Sequence, residues 1–191
     1  SLLPLFPGKE ISGEHTIMRE KSVSAIKEFF RDRLYQINIE RGYRYDLVNA
    51  VLNTDAGFDD IGDFFQKLKA ISHVSKEDWW PDLVTVVERT FYFCKKANSR
   101  GLVDERLLTE AEETAIRKQV DEKRYEEASR TYYAVFAKPV HTFFDKVFVN
   151  VEDEAIRNNR LLLIRSINKL YSEKIADLSQ MNMSNDKPAG G

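Results

Sequence analysis

A chain of 191 residues, 42% of them hydrophobic, with a mean hydropathy of −0.46, fits one globular domain with a continuous core. Its 29 Lys and Arg residues stand against 31 Asp and Glu, a formal net charge of −2, which excludes binding to polyanions through bulk basicity. No section compensates, since the chain through Arg100 holds 15 basic and 15 acidic residues. Any contact with a nucleic acid must come from a local patch assembled by the fold, with modest and salt-sensitive affinity.

The single Cys94 excludes an intramolecular disulfide. Its apolar, aromatic context points to packing in a reducing compartment. No apolar run approaches membrane-spanning length and no basic leader precedes a hydrophobic segment, so a soluble protein is expected. The opening Ser1-Leu2-Leu3-Pro4 has no initiator Met, which reads as a fragment or a processed product.

In chain order, Pro4, Pro7, Gly8 and Gly13 mark residues 1–17 as a linker from an upstream region. A helical domain is expected over 18–180. From Arg19 to Arg41, Val23, Ile26, Phe30, Leu34 and Ile37 recur at three- and four-residue steps, an amphipathic stripe that Gly42 ends. Tyr45 to Leu52 forms a short second helix, and Asp59 to His73 a third around Phe64, Phe65, Leu68 and Ile71. Ser75 and Asp78 cap a fourth, with Pro81 in its first turn and Leu83, Val84, Val87, Phe91 and Cys94 on its buried side. Gly101 stops it. Thr109 with Glu112 is a capping box for a fifth helix. Tyr125 to Phe136 is a sixth, Pro139 begins a seventh around Phe143 and Phe144, and Asp153 caps a long last helix with Ile164, Ile167, Tyr171, Ile175 and Leu178 on one face. Val147 to Val151 is β-branched, but a lone strand has no partner, so it reads as an extended connection. Residues 181–191 read as a disordered tail. The fold class is all-α, a single bundle of about seven or eight helices.

Chemistry finds little support in the residue pattern. Asp59, Asp60 and Asp63 have the spacing of a magnesium–diphosphate motif, but no second carboxylate-rich segment accompanies them, and acidic residues at a helix start serve as caps. His15, His73 and His141 lack the spacing of a metal site, and Cys94 has no activating partner. No catalytic residue and no metal ligand is expected.

Several segments carry a resemblance to a known family. Phe29-Phe30-Arg31-Asp32-Arg33-Leu34, then Gly42-Tyr43-Arg44-Tyr45-Asp46-Leu47-Val48-Asn49-Ala50-Val51, precede Tyr125-Glu126-Glu127-Ala128, Lys138-Pro139-Val140 and Phe143-Phe144-Asp145. Arg157-Asn158-Asn159-Arg160-Leu161 and Ala176-Asp177-Leu178 close the series. Their order and their spread from Ile26 to Leu178 resemble the C-terminal end of bacterial-type glycyl-tRNA synthetase β subunits, a helical anticodon-binding domain of the DALR type shared with arginyl-tRNA synthetase. One departure stands out. Where that family commonly shows a basic pair and an Asn in a Lys-Arg-Val-x-Asn-Ile-like run, this chain reads Glu88-Arg89-Thr90-Phe91-Tyr92-Phe93, so only Arg89 matches and the positive surface shifts toward Lys95, Lys96 and Arg100.

The resemblance implies a domain that holds the anticodon stem and loop of tRNA-Gly for a glycine–tRNA ligase. The parent enzyme's ATP and magnesium chemistry would lie in an α subunit or a fused catalytic region, with no cofactor in this fragment. A cytoplasmic location is implied, or an organellar stroma or matrix for a eukaryotic fusion. Anticodon bases are read by stacking and edge hydrogen bonds while cations neutralise the backbone. The tRNA-binding candidates are Arg31, Arg33, Arg89, Lys95, Lys96, Arg100, Arg157, Asn158 and Arg160, with Trp79, Trp80 and Tyr132 as stacking surfaces. Competing structural readings are ion pairing of Arg157 and Arg160 with Asp145, Glu152 or Asp153, and burial of the tryptophans. The alternative function is a helical protein-interaction or subunit-assembly module.

Overall fold

The computed structural model describes residues 13–54, 57, 59–94 and 110–181. Among them the secondary structure is helical without strands, in seven helices: α1 Gly13–Glu40, α2 Tyr45–Leu52, α3 Ile61–Val74, α4 Trp80–Cys94, α5 Glu110–Asp121, α6 Tyr125–Lys146 and α7 Glu154–Ser172. The all-α expectation holds. Most of residues 1–17 and 181–191, the proposed linker and tail, lie outside the described residues, as do Gly101 and Thr109, the expected stop of α4 and cap of α5.

Local chemistry sets most boundaries. Gly42, at φ +85, closes α1 with bonds from Gly42 N to Ile39 O at 2.9 Å and from Tyr43 N to Asn38 O at 3.1 Å, the left-handed termination that glycine enters without penalty. Asp60 and Asp153 cap α3 and α7, accepting from Asp63 N and Ile156 N, each at 3.0 Å, which satisfies donors that have no partner within the helix. The capping predicted for Asp153 is therefore met.

The helices close on one core. Leu47, Val48, Val51, Phe64, Leu68, Ile71, Trp80, Leu83, Val84, Val87, Ala128, Tyr132 and Tyr171 are all buried there. α7 packs most extensively on α4, while α6 packs on α3, α4 and α5. A polar pin joins α7 to α4: buried Asn168 donates through Nδ2 to Val87 O at 3.0 Å and Thr90 Oγ1 at 2.9 Å, and accepts from Ser172 Oγ at 2.8 Å. Buried polar groups are tolerated where they are paired in this way.

Three sequence expectations need correction. Pro139 does not open a helix, because α6 runs unbroken from Tyr125 to Lys146 with the proline inside it. Its ring sits on the exposed side, so the fault is confined to one missing hydrogen bond and a local clash. Phe136, Ala137 and Val140 on either side remain in the core and hold the helix together. Second, α7 ends at Ser172, and Ile175 and Leu178 are buried from the turn that follows it. That segment is tied back to α2 by a bond from Asp177 N to Ala50 O at 2.8 Å. Third, the α1 stripe is buried only toward its C-terminal end: Leu34 is in the core, whereas Val23, Ile26 and Phe30 are about half exposed. α1 packs on α2 alone to any extent, and α2 is too short to cover four further turns.

Candidate nucleic-acid interface

The end of the bundle where α6 passes into α7 carries a small apolar cluster of its own. Val149, Leu161 and Ile164 are buried there, with Phe93, Phe143 and Phe144 packed against them. The connection between the helices starts extended at Val147, with φ −116 and ψ 118, then bends at Val149 and Asn150, where Val151 N donates to Val149 O at 3.2 Å. Along Val147-Phe148-Val149-Asn150-Val151 the valines are buried or half-buried, and Phe148 and Asn150 are exposed.

Two arginines fasten this connection. Arg160 donates from Nη1 to Phe148 O at 2.6 Å, and Arg157 from Nη1 to Val151 O at 3.0 Å. The pairing with Asp145, Glu152 or Asp153 expected from sequence proximity does not form; the partners are main-chain carbonyls. A carbonyl satisfies the geometry of a guanidinium without cancelling its charge.

Arg89 on α4 belongs to the same end. Its guanidinium lies 4.9 Å from the ring centroid of Phe144, a cation–π contact, and Phe144 in turn stacks on Phe93 with centroids 5.1 Å apart. Arg89 Nη1 lies 3.1 Å from His141 Nδ1, and His141 Nε2 lies 2.7 Å from Asp82 Oδ1. Since arginine only donates, Nδ1 accepts and the proton sits on Nε2, facing the carboxylate. Arg89 is thus oriented, again without a direct carboxylate partner.

Several cations elsewhere are neutralised. Arg44 is paired with Asp46, Lys67 with Asp63, Lys123 with Asp60 and Asp63, Arg124 with Glu122 and Glu127, and Lys169 with Glu173. Arg89, Arg157 and Arg160 form no ion pair among the described residues and lie beside the aromatic rings of this end. Exposed Glu152 and Glu154 flank that end, and Asp153 is engaged as the α7 cap.

The remaining candidates scatter. Arg31 donates to Leu52 O at 2.7 Å and to Asn53 Oδ1, bracing α1 against the end of α2, while Arg33 is exposed on α1. Asn158 is half-buried on α7. Lys95, Lys96 and Arg100 lie outside the described residues. Trp80 and Tyr132 are corrected as stacking surfaces: both are buried in the main core, and the Tyr132 hydroxyl donates to Ile167 O at 3.1 Å, so neither has a face to offer. Both belong to the inward stripe of an amphipathic helix. Trp79 is half-buried with one face stacked on Tyr133 at 5.0 Å.

Phe148 was missed as a candidate, although the alternation of Val and non-Val residues from 147 to 151 held the signal.

The acidic triplet is absorbed by capping and pairing. Asp59 pairs with Lys27 at 3.0 Å. Asp60 is held below the usual carboxylate range by the Asp63 amide and Lys123. For Asp63, burial pushes upward, but the Tyr125 hydroxyl and Lys67 outweigh it and leave the carboxyl lowered. Burial raises the Cys94 thiol to about 11, so it is not a thiolate nucleophile at neutral pH. No group of three or more His, Cys, Asp or Glu suited to a metal ion occurs among the described residues, and no helix there is long and apolar enough to cross a membrane.

Fold and site together describe a helical domain that presents guanidinium and aromatic groups at one end. No protein-family model matches the chain. It is similar to proteins named glycine–tRNA ligase beta subunit. That of Desulforamulus reducens is 34% identical over 169 residues, covering 83% of this chain and 24% of the relative. That of Clostridioides difficile is 33% identical over 173 residues, covering 85% and 25%, and that of Trichlorobacter lovleyi 30% over 182 residues, covering 90% and 26%. The chain therefore spans about a quarter of the length of these relatives.

Proposed function

We propose that this chain is the tRNA-holding portion of a glycine–tRNA ligase β subunit and binds the anticodon stem and loop of tRNA-Gly. ATP- and magnesium-dependent activation of glycine then belongs to a catalytic region elsewhere, in an α subunit or a fused chain. That assembly would work in the cytoplasm, or in the stroma or matrix of an organelle if the parent is a eukaryotic fusion. Support comes from the similarity across most of the chain to β subunits of that name. The observation that carries the reading is the gathering of Arg89, Arg157 and Arg160 around one aromatic cluster with no carboxylate partner. Cations left unpaired neutralise phosphates, and an aromatic edge receives bases. Lys95, Lys96 and Arg100, which follow α4 in sequence, are proposed as further tRNA contacts.

A second reading, a helical module for subunit assembly, is favoured by a separate feature. Val23, Ile26, Phe29 and Phe30 on α1 are all exposed, an apolar face suited to a protein partner. The two readings occupy different surfaces and are separable. Titration of the 191-residue chain with tRNA-Gly and with an anticodon-altered tRNA-Gly, at low and moderate salt, decides for the first. Tighter binding of the native anticodon, with a log–log salt slope of about −2 to −3 for three phosphate contacts, supports it. Equal binding of both tRNAs, or of neither, overturns anticodon reading.

A further inference from the structure

We propose that Phe148 is a stacking platform for one unpaired nucleobase of the bound RNA, an inference that rests on the tRNA-binding reading above. Single exposed apolar residues are common and by themselves mean little. Three features set this one apart. Phe148 is 84% exposed, more than any other large hydrophobic among the described residues, the next being Phe29 at 67%. Its ring therefore adds almost nothing to the core.

Its backbone, by contrast, is fixed on both sides. Val149 is buried in the apolar cluster next to it, and Val147 and Val151 are half-buried. The carbonyls of Phe148 and Val151 each accept from an arginine of α7. With Val149 turned into the cluster, the Phe148 ring is left facing outward. An aromatic face held in place before binding loses little conformational entropy when a base lands on it.

The third feature is charge. The two guanidiniums that hold the connection have no carboxylate partner among the described residues, so the ring stands beside two unneutralised arginines, with exposed Glu152 and Glu154 further along the chain. A flat aromatic surface beside unneutralised arginines matches a nucleobase attached to phosphate, whereas a protein partner's apolar face would have to desolvate those charges. Asn150, two residues on and also exposed, can offer its amide to a base edge.

The test uses the 191-residue chain and tRNA-Gly as probe, comparing wild type with Phe148→Ala, Phe148→Leu and Phe148→Trp. Stacking predicts that Phe148→Ala and Phe148→Leu each weaken binding by about 5- to 100-fold, that Phe148→Trp retains it, and that the salt slope and melting temperature stay at wild-type values. Restoration by Phe148→Leu would reveal a generic apolar contact and overturn the inference. Wild-type affinity in Phe148→Ala overturns it while leaving tRNA binding intact. Absence of tRNA binding by the wild-type chain overturns both readings together. Loss of assembly with a catalytic subunit in Phe148→Ala, with RNA affinity unchanged, would assign the ring to a protein contact instead.

Discussion

Arg160 reaches from α7 to the carbonyl oxygen of Phe148, 2.6 Å away and twelve residues earlier in the chain. The guanidinium thereby does two things: it positions the connection and leaves its charge available. Arg160→Ala should lower stability by no more than about 1 kcal/mol, because the contact is exposed. It should also weaken tRNA-Gly binding several-fold and reduce the salt slope by about one. Urea unfolding and binding at two salt concentrations measure these effects separately.

Asn168 tests the packing instead of the surface. It is 2% exposed and bonded to Val87, Thr90 and Ser172. Asn168→Ala leaves the Val87 carbonyl and the Ser172 hydroxyl without this partner and opens a small void. The expected loss is roughly 2 to 3 kcal/mol, seen as a lower urea midpoint with an unchanged slope.

Acid should weaken the fold through Asp63. Although burial alone would raise its pKa, the Tyr125 hydroxyl, Lys67 and Lys123 hold the folded-state value below the unfolded one. A lowered carboxyl contributes stability that is present above about pH 4 and lost as pH falls through the folded-state value. The melting temperature should therefore drop as pH falls below about 4, and Asp63→Asn should flatten that part of the profile while lowering stability at neutral pH. An unchanged profile would mean that other carboxylates dominate acid unfolding.

Much of the fold was legible in the sequence because helix periodicity and terminal chemistry are local. Gly42, Asp153 and the α2 span from Tyr45 to Leu52 were each readable from a few residues. Pro139 misled because proline's cost is local whereas the packing of Phe136 and Val140 is not. The α1 stripe misled in the opposite sense: periodicity shows that a face is apolar, not what covers it. At the candidate site, arginine type and position were readable. Their partners were not, since a nearby Glu152 in sequence lost to the Val151 carbonyl in space. Trp80 and Tyr132 show the same limit, because aromatic character alone does not distinguish a core residue from a platform.

The most direct test of this account is backbone hydrogen exchange of the 191-residue chain with and without saturating tRNA-Gly. Added protection is predicted over residues 146–160 and the C-terminal turn of α4, with α1 from Val23 to Phe30 unchanged. Protection confined to α1, or none over 146–160 while the tRNA is bound, would contradict it.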